Sequence, residues 1–246
     1  MKKVLVASGK GGTGKTTTTA MLGGVLALEY RVKVALLDLD ITGPNLAHMV
    51  GVEPYGVHVD EDFFYPKQRG ALLEVFSPSF LIPPDVACSW SGDRRMELIR
   101  ELLFKVRWND PDVMLYDCPP GTGDEIMAVL KYAQDVSGAI IVITGKNESL
   151  VDARRVVSLL RSERFNVPVI GLIENMRYMQ TADGTMPLFD DGIDFQEELG
   201  VPVIGRIPYR AGTLTNDEAI ADYKPPVDIL AEFLGIVDNG KDGCSE

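Results

Sequence analysis

Continuous apolar runs, each closing on a polar or glycine-rich turn, set the rhythm of this chain. Residues 3–7 (KVLVA), 32–38 (VKVALLD), 72–77 (LLEVFS), 112–117 (DVMLYD), 138–144 (GAIIVIT), 168–175 (PVIGLIEN) and 202–208 (PVIGRIP) are dense in valine, isoleucine and leucine, with no in–out alternation. Such runs read as strands buried on both faces. Between them, residues 15–28, 93–106, 124–132, 149–164 and 227–234 read as helices. In the stretch RRMELIRELLFKVRW, Met96, Leu98, Ile99, Leu102, Leu103 and Val106 fall on one helical face and the charges on the other, a packing pattern. Strand–helix alternation predicts an α/β fold: a doubly wound, mostly parallel sheet with helices on both faces. No repeat and no linker interrupts the pattern. Residues 1–238 are read as a single domain, 239–246 as a flexible tail and 55–67 as an irregular acidic and aromatic insertion.

Charge narrows the partners. The net charge of −12 and pI near 4.7 repel phosphate backbones and anionic lipid heads, so neither nucleic acid nor membrane is expected as a partner. Cys88, Cys118 and Cys244 are too few and too scattered for a disulfide framework, which fits a reducing, cytoplasmic setting. The first apolar run is broken by Ser8 and Gly9, too early for a signal-peptide core. No run of 18 apolar residues predicts a membrane span.

The candidate chemistry begins at ASGKGGTGKTTTT. The frame G-x-x-x-x-G-K-[ST] runs from Gly9 to Thr16, after a strand and into a helix, as a phosphate loop requires. Gly9, Gly11, Gly12 and Gly14 let backbone N–H groups turn inward, and the helix N-terminus adds positive potential. Lys15 supplies a full charge at the β- and γ-phosphates, and Thr16 a hydroxyl for Mg²⁺. Asp38, Asp40 and Asp117 stand at the carboxyl ends of strands, the edge where open parallel sheets bind ligands. Lys10 is not demanded by this frame.

The loop GKGGTGKTT resembles the deviant Walker A of MinD/ParA-like P-loop ATPases, in which an early lysine is a signature. The match narrows to the Mrp family of iron–sulfur carrier ATPases. It is carried by DLDITGPNLAHMVGV, YDCPPGTGDE, ITGKNESLVDARRVV, VIGLIENMRYM and LGVPVIGRIPY, which together cover most of the chain. The resemblance implies a slow, partner-stimulated ATP hydrolase that dimerises around two ATP molecules, with Lys10 reaching the partner's nucleotide. It implies that Gly11, Gly12, Thr13, Gly14, Lys15, Thr16 and Thr17 hold the phosphates, and that Thr16, with Asp38 and Asp117 through water, holds Mg²⁺. Asp40 then orients the attacking water, Asn175 recognises adenine beside Pro208, and Asp117 with Gly121 senses the γ-phosphate. Lys10, Lys15 and Asp40 form the expected catalytic set.

One departure changes the expected cargo. Members of that family place C-P-x-C shortly after E-N-M, and two such pairs bridge an iron–sulfur cluster. Here Thr181 and Gly184 stand where the cysteines belong, and neither supplies a thiolate. Cys118 reads as a small buried hydrophobe. The expectation is a Mg-ATPase assisting iron–sulfur or metallocofactor assembly, with a bridging cluster of its own disfavoured. It would be a homodimer, or a heterodimer with a cysteine-bearing relative, acting on a protein partner. A positioning or partition ATPase is one alternative, set back by the acidic last helix with Asp228 and Glu232. An ATP-dependent small-molecule synthase is another, with TADGTMPLFDD and PPDVACSWSGDRR as possible pocket walls. It lacks an acid–base pair there, and His48 and His58 read as surface or packing residues.

Overall fold

A computed structural model describes residues 1–81, 90–181, 183–189, 192–210 and 216–236. Cys88, Cys244, the segment 239–246 and much of PPDVACSWSGDRR lie outside the described residues. The elements run β1 (Lys2–Ala7), α1 (Lys15–Glu29), β2 (Val34–Asp38), α2 (Leu46–Val50), β3 (Lys67–Arg69), β4 (Leu73–Phe76), α3 (Gly92–Lys105), β5 (Val113–Asp117) and α4 (Asp124–Tyr132). They continue with β6 (Gly138–Thr144), α5 (Asn147–Arg161), β7 (Val169–Thr181), β8 (Gly184–Pro187), α6 (Phe195–Leu199), β9 (Val203–Tyr209) and α7 (Asn216–Leu234). The sheet order is β3-β4-β2-β5-β1-β6-β7-β8, with β9 also paired to β7.

Pairing is parallel except where β3 joins β4 and β8 joins β7. Every residue of β2, β5 and β6 is buried, which is why those strands carry no polar alternation. The chain steps one way across the sheet through α1 and the other way through α3, α4 and α5. Right-handed crossovers therefore put α1 on one face and those three on the other. Accordingly α1 packs with α2 and α7, α3 with α4, and α5 with α6. On α3, Leu98, Ile99 and Leu102 are buried, as its periodicity predicts.

Two elements run further than their sequence suggests. The strand expected to stop at Asn175 continues to Thr181, because Met176 adopts φ 56° and a bulge redirects the chain into a hairpin with β8. The last helix, expected from residue 227, begins at Asn216 and passes through Pro225 and Pro226. Two prolines in a helix interior remove N–H donors and disfavour that helix locally. Here the Pro226 ring lies 3.1 Å from where a Cβ on Gly205 of β9 would sit, and Tyr223 is fully buried. Tertiary packing holds the helix. The segment 55–67 is irregular as expected up to Lys67, where β3 begins, and is pinned where Phe64 stacks on Phe76 at 5.7 Å. The elements α2, β3, β8 and α6 are too short for a periodic signal. At the start of α6, Asp194 caps the helix by accepting hydrogen bonds from the Gln196 and Glu197 amides.

Candidate functional site

The chain leaves β1 at Ala7, loops over the carboxyl edge of the sheet and enters α1 at Lys15. Gly14, the N-cap, has φ 81°, and a Cβ there would sit 2.1 Å from the Asn175 amide nitrogen, so both conformation and space require glycine. Gly9 is held by space alone, its Cβ position lying 2.4 Å from Asp152 of α5. At Gly11 and Gly12 a Cβ would meet nothing within 4 Å, so the loop's rim is open. No side chain caps α1 and no acidic residue occupies its first turn. Its first N–H groups, which lack partners within the helix, thus face a space suited to an anion. The buried Thr13 hydroxyl also has no hydrogen-bond partner among the described residues.

Beneath the loop lies a buried ionic cluster. Asp38 ends β2 and Asp117 ends β5, and strand register places them side by side, both fully buried. The Lys15 ammonium is 2.5 Å from Asp117 Oδ1, while the Thr16 hydroxyl donates to Oδ2 at 2.7 Å and the Thr19 hydroxyl to Oδ1 at 3.1 Å. Asp38 accepts from the Ser77 hydroxyl at 2.9 Å and from the Leu46 and Asp40 amides at 3.2 and 3.1 Å. Burial works against the Lys15 charge, but the carboxylates of Asp117 and Asp38 hold its pKa above the ordinary lysine value. Burial, and then the neighbouring Asp117 charge, push the Asp38 carboxyl up to about 7, against the pull of Lys15 and Ser77. One lysine thus faces two carboxylates, an arrangement short of positive charge and suited to a divalent cation.

That imbalance has a measurable consequence. A carboxyl whose pKa is raised on folding binds more protons in the native state between pH 4 and 7, so native stability falls as pH rises through that window. Asp38→Asn is expected to flatten this fall and to raise the melting temperature of nucleotide-free protein at pH 8 relative to wild type. Melting curves from pH 4 to 8 provide the check, and parallel pH profiles for the two proteins count against the assignment.

The other candidates stand around this cluster. Lys10 is half-buried on the rim, and its ammonium has no ion-pair or hydrogen-bond partner among the described residues. Asp40 Oδ1 closes a turn by accepting from the Thr42 hydroxyl at 2.9 Å and the Gly43 amide at 3.1 Å, leaving Oδ2 without a partner among the described residues. Gly121, at φ 85°, donates its amide to the Ser8 carbonyl at 2.9 Å, tying the segment after β5 to the phosphate loop. Thr17 lies beside Met49, its hydroxyl 3.8 Å from the sulfur.

Asn175 is buried and donates to the Thr13 carbonyl at 2.8 Å, and its register partner Ile207 precedes Pro208, also buried. Glu174 before it is buried against Arg206 and Arg177, at 3.2 and 3.7 Å. Sequence reasoning missed Thr19, Ser77 and Met176. Thr19 had a signal, since it lies one helical turn after Lys15. Ser77 and Met176 had none, because a strand-end hydrogen bond and a left-handed methionine follow from register.

Thr181 and Gly184, at the cysteine positions of the expected cluster motif, close the β7–β8 hairpin, the Thr181 hydroxyl donating to the Gly184 carbonyl at 2.9 Å. Cys118 is fully buried, its thiol pushed up to about 12 mainly by burial. Among the described residues no group of three or more histidine, cysteine, aspartate or glutamate side chains is placed to hold a metal. His48 and His58 are exposed, and no described helix is long and apolar enough to cross a membrane.

Comparison with known proteins identifies a family and close relatives. The family model described as NUBPL iron-transfer P-loop NTPase matches residues 1–236. An iron-sulfur cluster carrier protein of Methanocaldococcus jannaschii is 36% identical over 211 residues, covering 84% of this chain and 72% of the relative. A cytosolic Fe-S cluster assembly factor NUBP1 homolog of Brugia malayi is 36% identical over 231 residues, covering 90% and 74%. Among solved structures, a nucleotide-binding protein of Archaeoglobus fulgidus in complex with ADP superposes with a TM-score of 0.75 at 29% identity, over 96% of this chain and 93% of that one.

Proposed function

The chain belongs to the NUBPL iron-transfer P-loop NTPase family, and from that premise we propose that it is a Mg-ATP-dependent, nucleotide-bridged dimeric ATPase. Its role would be to drive iron–sulfur or metallocofactor assembly on a partner protein without holding a bridging cluster itself. One observation carries the reading: the buried Lys15–Asp117–Thr16 constellation under an open loop and an uncapped helix. A triphosphate on the loop becomes the counter-charge of Lys15 in place of Asp117. Mg²⁺, held by Thr16 and backed by Asp38 and Asp117, would neutralise charge on the transferring phosphoryl group. The Gly121 amide, once released from the Ser8 carbonyl, is free to sense the γ-phosphate. The free oxygen of Asp40 orients the attacking water, and Asn175 with Pro208 receives the adenine.

Two further observations support the dimer and the cargo reading. Met49, Val151 and Tyr209 are 42%, 52% and 43% exposed at the carboxyl edge of the sheet, a fringe of apolar side chains around the loop suited to a second copy. Lys10 lies on that face without an ion-pair or hydrogen-bond partner for its ammonium among the described residues. The absence of thiolates at positions 181 and 184 supports cargo held by the partner, and the names of the relatives support iron–sulfur assembly as the pathway class. The cytosolic relative supports a cytoplasmic location.

Mass measurement by light scattering is the test. We expect a dimer with Mg-ATP, dissociation as phosphate is released, and sub-stoichiometric iron and sulfide after anaerobic reconstitution. A monomer under saturating Mg-ATP removes the bridged-dimer reading. One [4Fe–4S] cluster per dimer, with its visible band, removes the cargo reading.

A further inference from the structure

On one face of the sheet α3 and α4 lie side by side and form a groove of about 340 Å³ that runs away from the nucleotide edge. Both helices present the same order along it. On α3, Asp93 is followed by Met96, by Glu97, whose charge is paired with Arg94, and then by Arg100; on α4, Asp124 is followed by Met127, Ala128 and then Lys131. This three-to-seven spacing puts each trio on one helical face. Because both helices cross back between parallel strands, they point the same way, and the two acids share one end of the groove and the two bases the other. Arg164 adds a third base to the lining. The floor between is apolar, formed by the two methionines and Tyr132, whose ring carries the Lys131 ammonium at 4.9 Å and the Arg100 guanidinium at 6.0 Å.

Neighbouring charges on these helices are paired: Arg94 with Glu97, and Arg95 with Glu125 across the helix interface at 3.1 Å. Asp93, Asp124, Arg100, Lys131 and Arg164 have no ion-pair partner among the described residues. The opposite signs are held about 10 Å apart by seven residues of helix rise. Phe104, 54% exposed, extends the apolar surface one turn beyond Arg100 and packs edge-on against Tyr132 at 6.5 Å.

We propose that this groove docks an amphipathic helical segment of a partner protein, acidic in its first turn, apolar at its centre and basic two turns later. Such a segment lies antiparallel to α3 and α4. Its acids meet Arg100, Lys131 and Arg164, its basic end meets Asp93 and Asp124, and its apolar side chains rest on Met96 and Met127. The order also agrees with the segment's own helix dipole, which favours acids first and bases last. The docking end with Asp93 and Asp124 adjoins the loop carrying Gly121, since α4 starts directly after Gly123.

Fluorescence anisotropy on the intact protein tests this with two labelled, lactam-stapled helices of about 12 residues. One carries glutamates, central leucines and lysines in that order; the other has the charges exchanged. We expect micromolar binding of the first and at least about tenfold weaker binding of the second, with the preference inverted in Arg100→Glu/Lys131→Glu protein. Lys131→Glu alone is expected to shift the preference in the same direction, and both variants are checked for wild-type melting. Equal affinity for the two peptides, binding to neither, or a preference unchanged by the substitutions overturns the proposal. Loss of self-association in the double variant assigns the groove to a second copy and overturns it too. The readout is binding alone, so its failure leaves the ATPase reading untouched.

Discussion

Asp117→Asn is expected to lower the melting temperature of the nucleotide-free protein by about 10 °C and to abolish measurable ATP turnover. Asp117 meets three donors at once: the Lys15 ammonium and the hydroxyls of Thr16 and Thr19. Lys15 is only 6% exposed, so removing the charge leaves an ammonium buried without its nearest counter-ion. Breaking a buried pair from one side costs about 3–5 kcal/mol, and for a chain of this length each kcal/mol shifts melting by about 2–4 °C. The sign with pH follows from linkage. In the wild type the pKa of Lys15 is raised on folding, so its pairing stabilises fully below the ordinary lysine value and is lost as pH rises beyond it. In the variant, desolvation remains and most of the attraction is gone, so the deficit shrinks as pH rises. ATP without Mg²⁺ supplies a new counter-charge and is expected to restore much of the lost melting temperature. Calorimetry at pH 7 and 9, with and without ATP, measures each part. An unchanged melting temperature would mean that the Lys15–Asp117 contact contributes nothing to the resting state.

Lys10→Ala is expected to leave melting and nucleotide affinity close to wild type while reducing hydrolysis about a thousandfold. Lys10 is half-buried and its ammonium has no ion-pair or hydrogen-bond partner among the described residues, so its loss breaks no such contact there. The magnitude is that of a cation delivered in trans to a transferring phosphoryl group. Mixing decides between cis and trans. Asp40→Ala should be inactive alone, because the water-orienting carboxylate is gone. In a mixed dimer it lends its intact Lys10 to a Lys10→Ala subunit that keeps Asp40, and partial activity returns. Phosphate release from the mixture, compared with each variant alone, is the measurement. No recovery on mixing, with each variant still dimeric, places the lysine's action in its own subunit or nowhere.

Much of the framework was legible because it rests on local pattern. The strand Gly138–Thr144 and the helix Asp124–Tyr132 have the bounds their apolar patterning suggests. The glycine-rich loop also announced itself, since its glycines, lysine and threonine sit at fixed spacing in one short segment. What failed was whatever depended on distant partners. The last helix was expected from residue 227, and only packing, with Pro226 against Gly205 of β9, shows how it can start at Asn216 and pass through two prolines. Met176 carries no local signal for a left-handed backbone, so the strand was expected to stop at Asn175 and the hairpin beyond it was not foreseen.

By itself, the sequence determined the class of fold, the edge of the sheet where chemistry would gather, and the missing thiolates at Thr181 and Gly184. These follow from periodicity, from the position of polar residues at strand ends and from side-chain chemistry, none of which needs a third dimension. Only the tertiary structure decided that Asp38 and Asp117 are immediate neighbours, that Lys15 turns inward to Asp117, and that α3 and α4 align their charges along one groove. Those facts come from strand register and crossover handedness, which bring together residues far apart in the chain. Electrostatic energy depends on that separation in space and on burial.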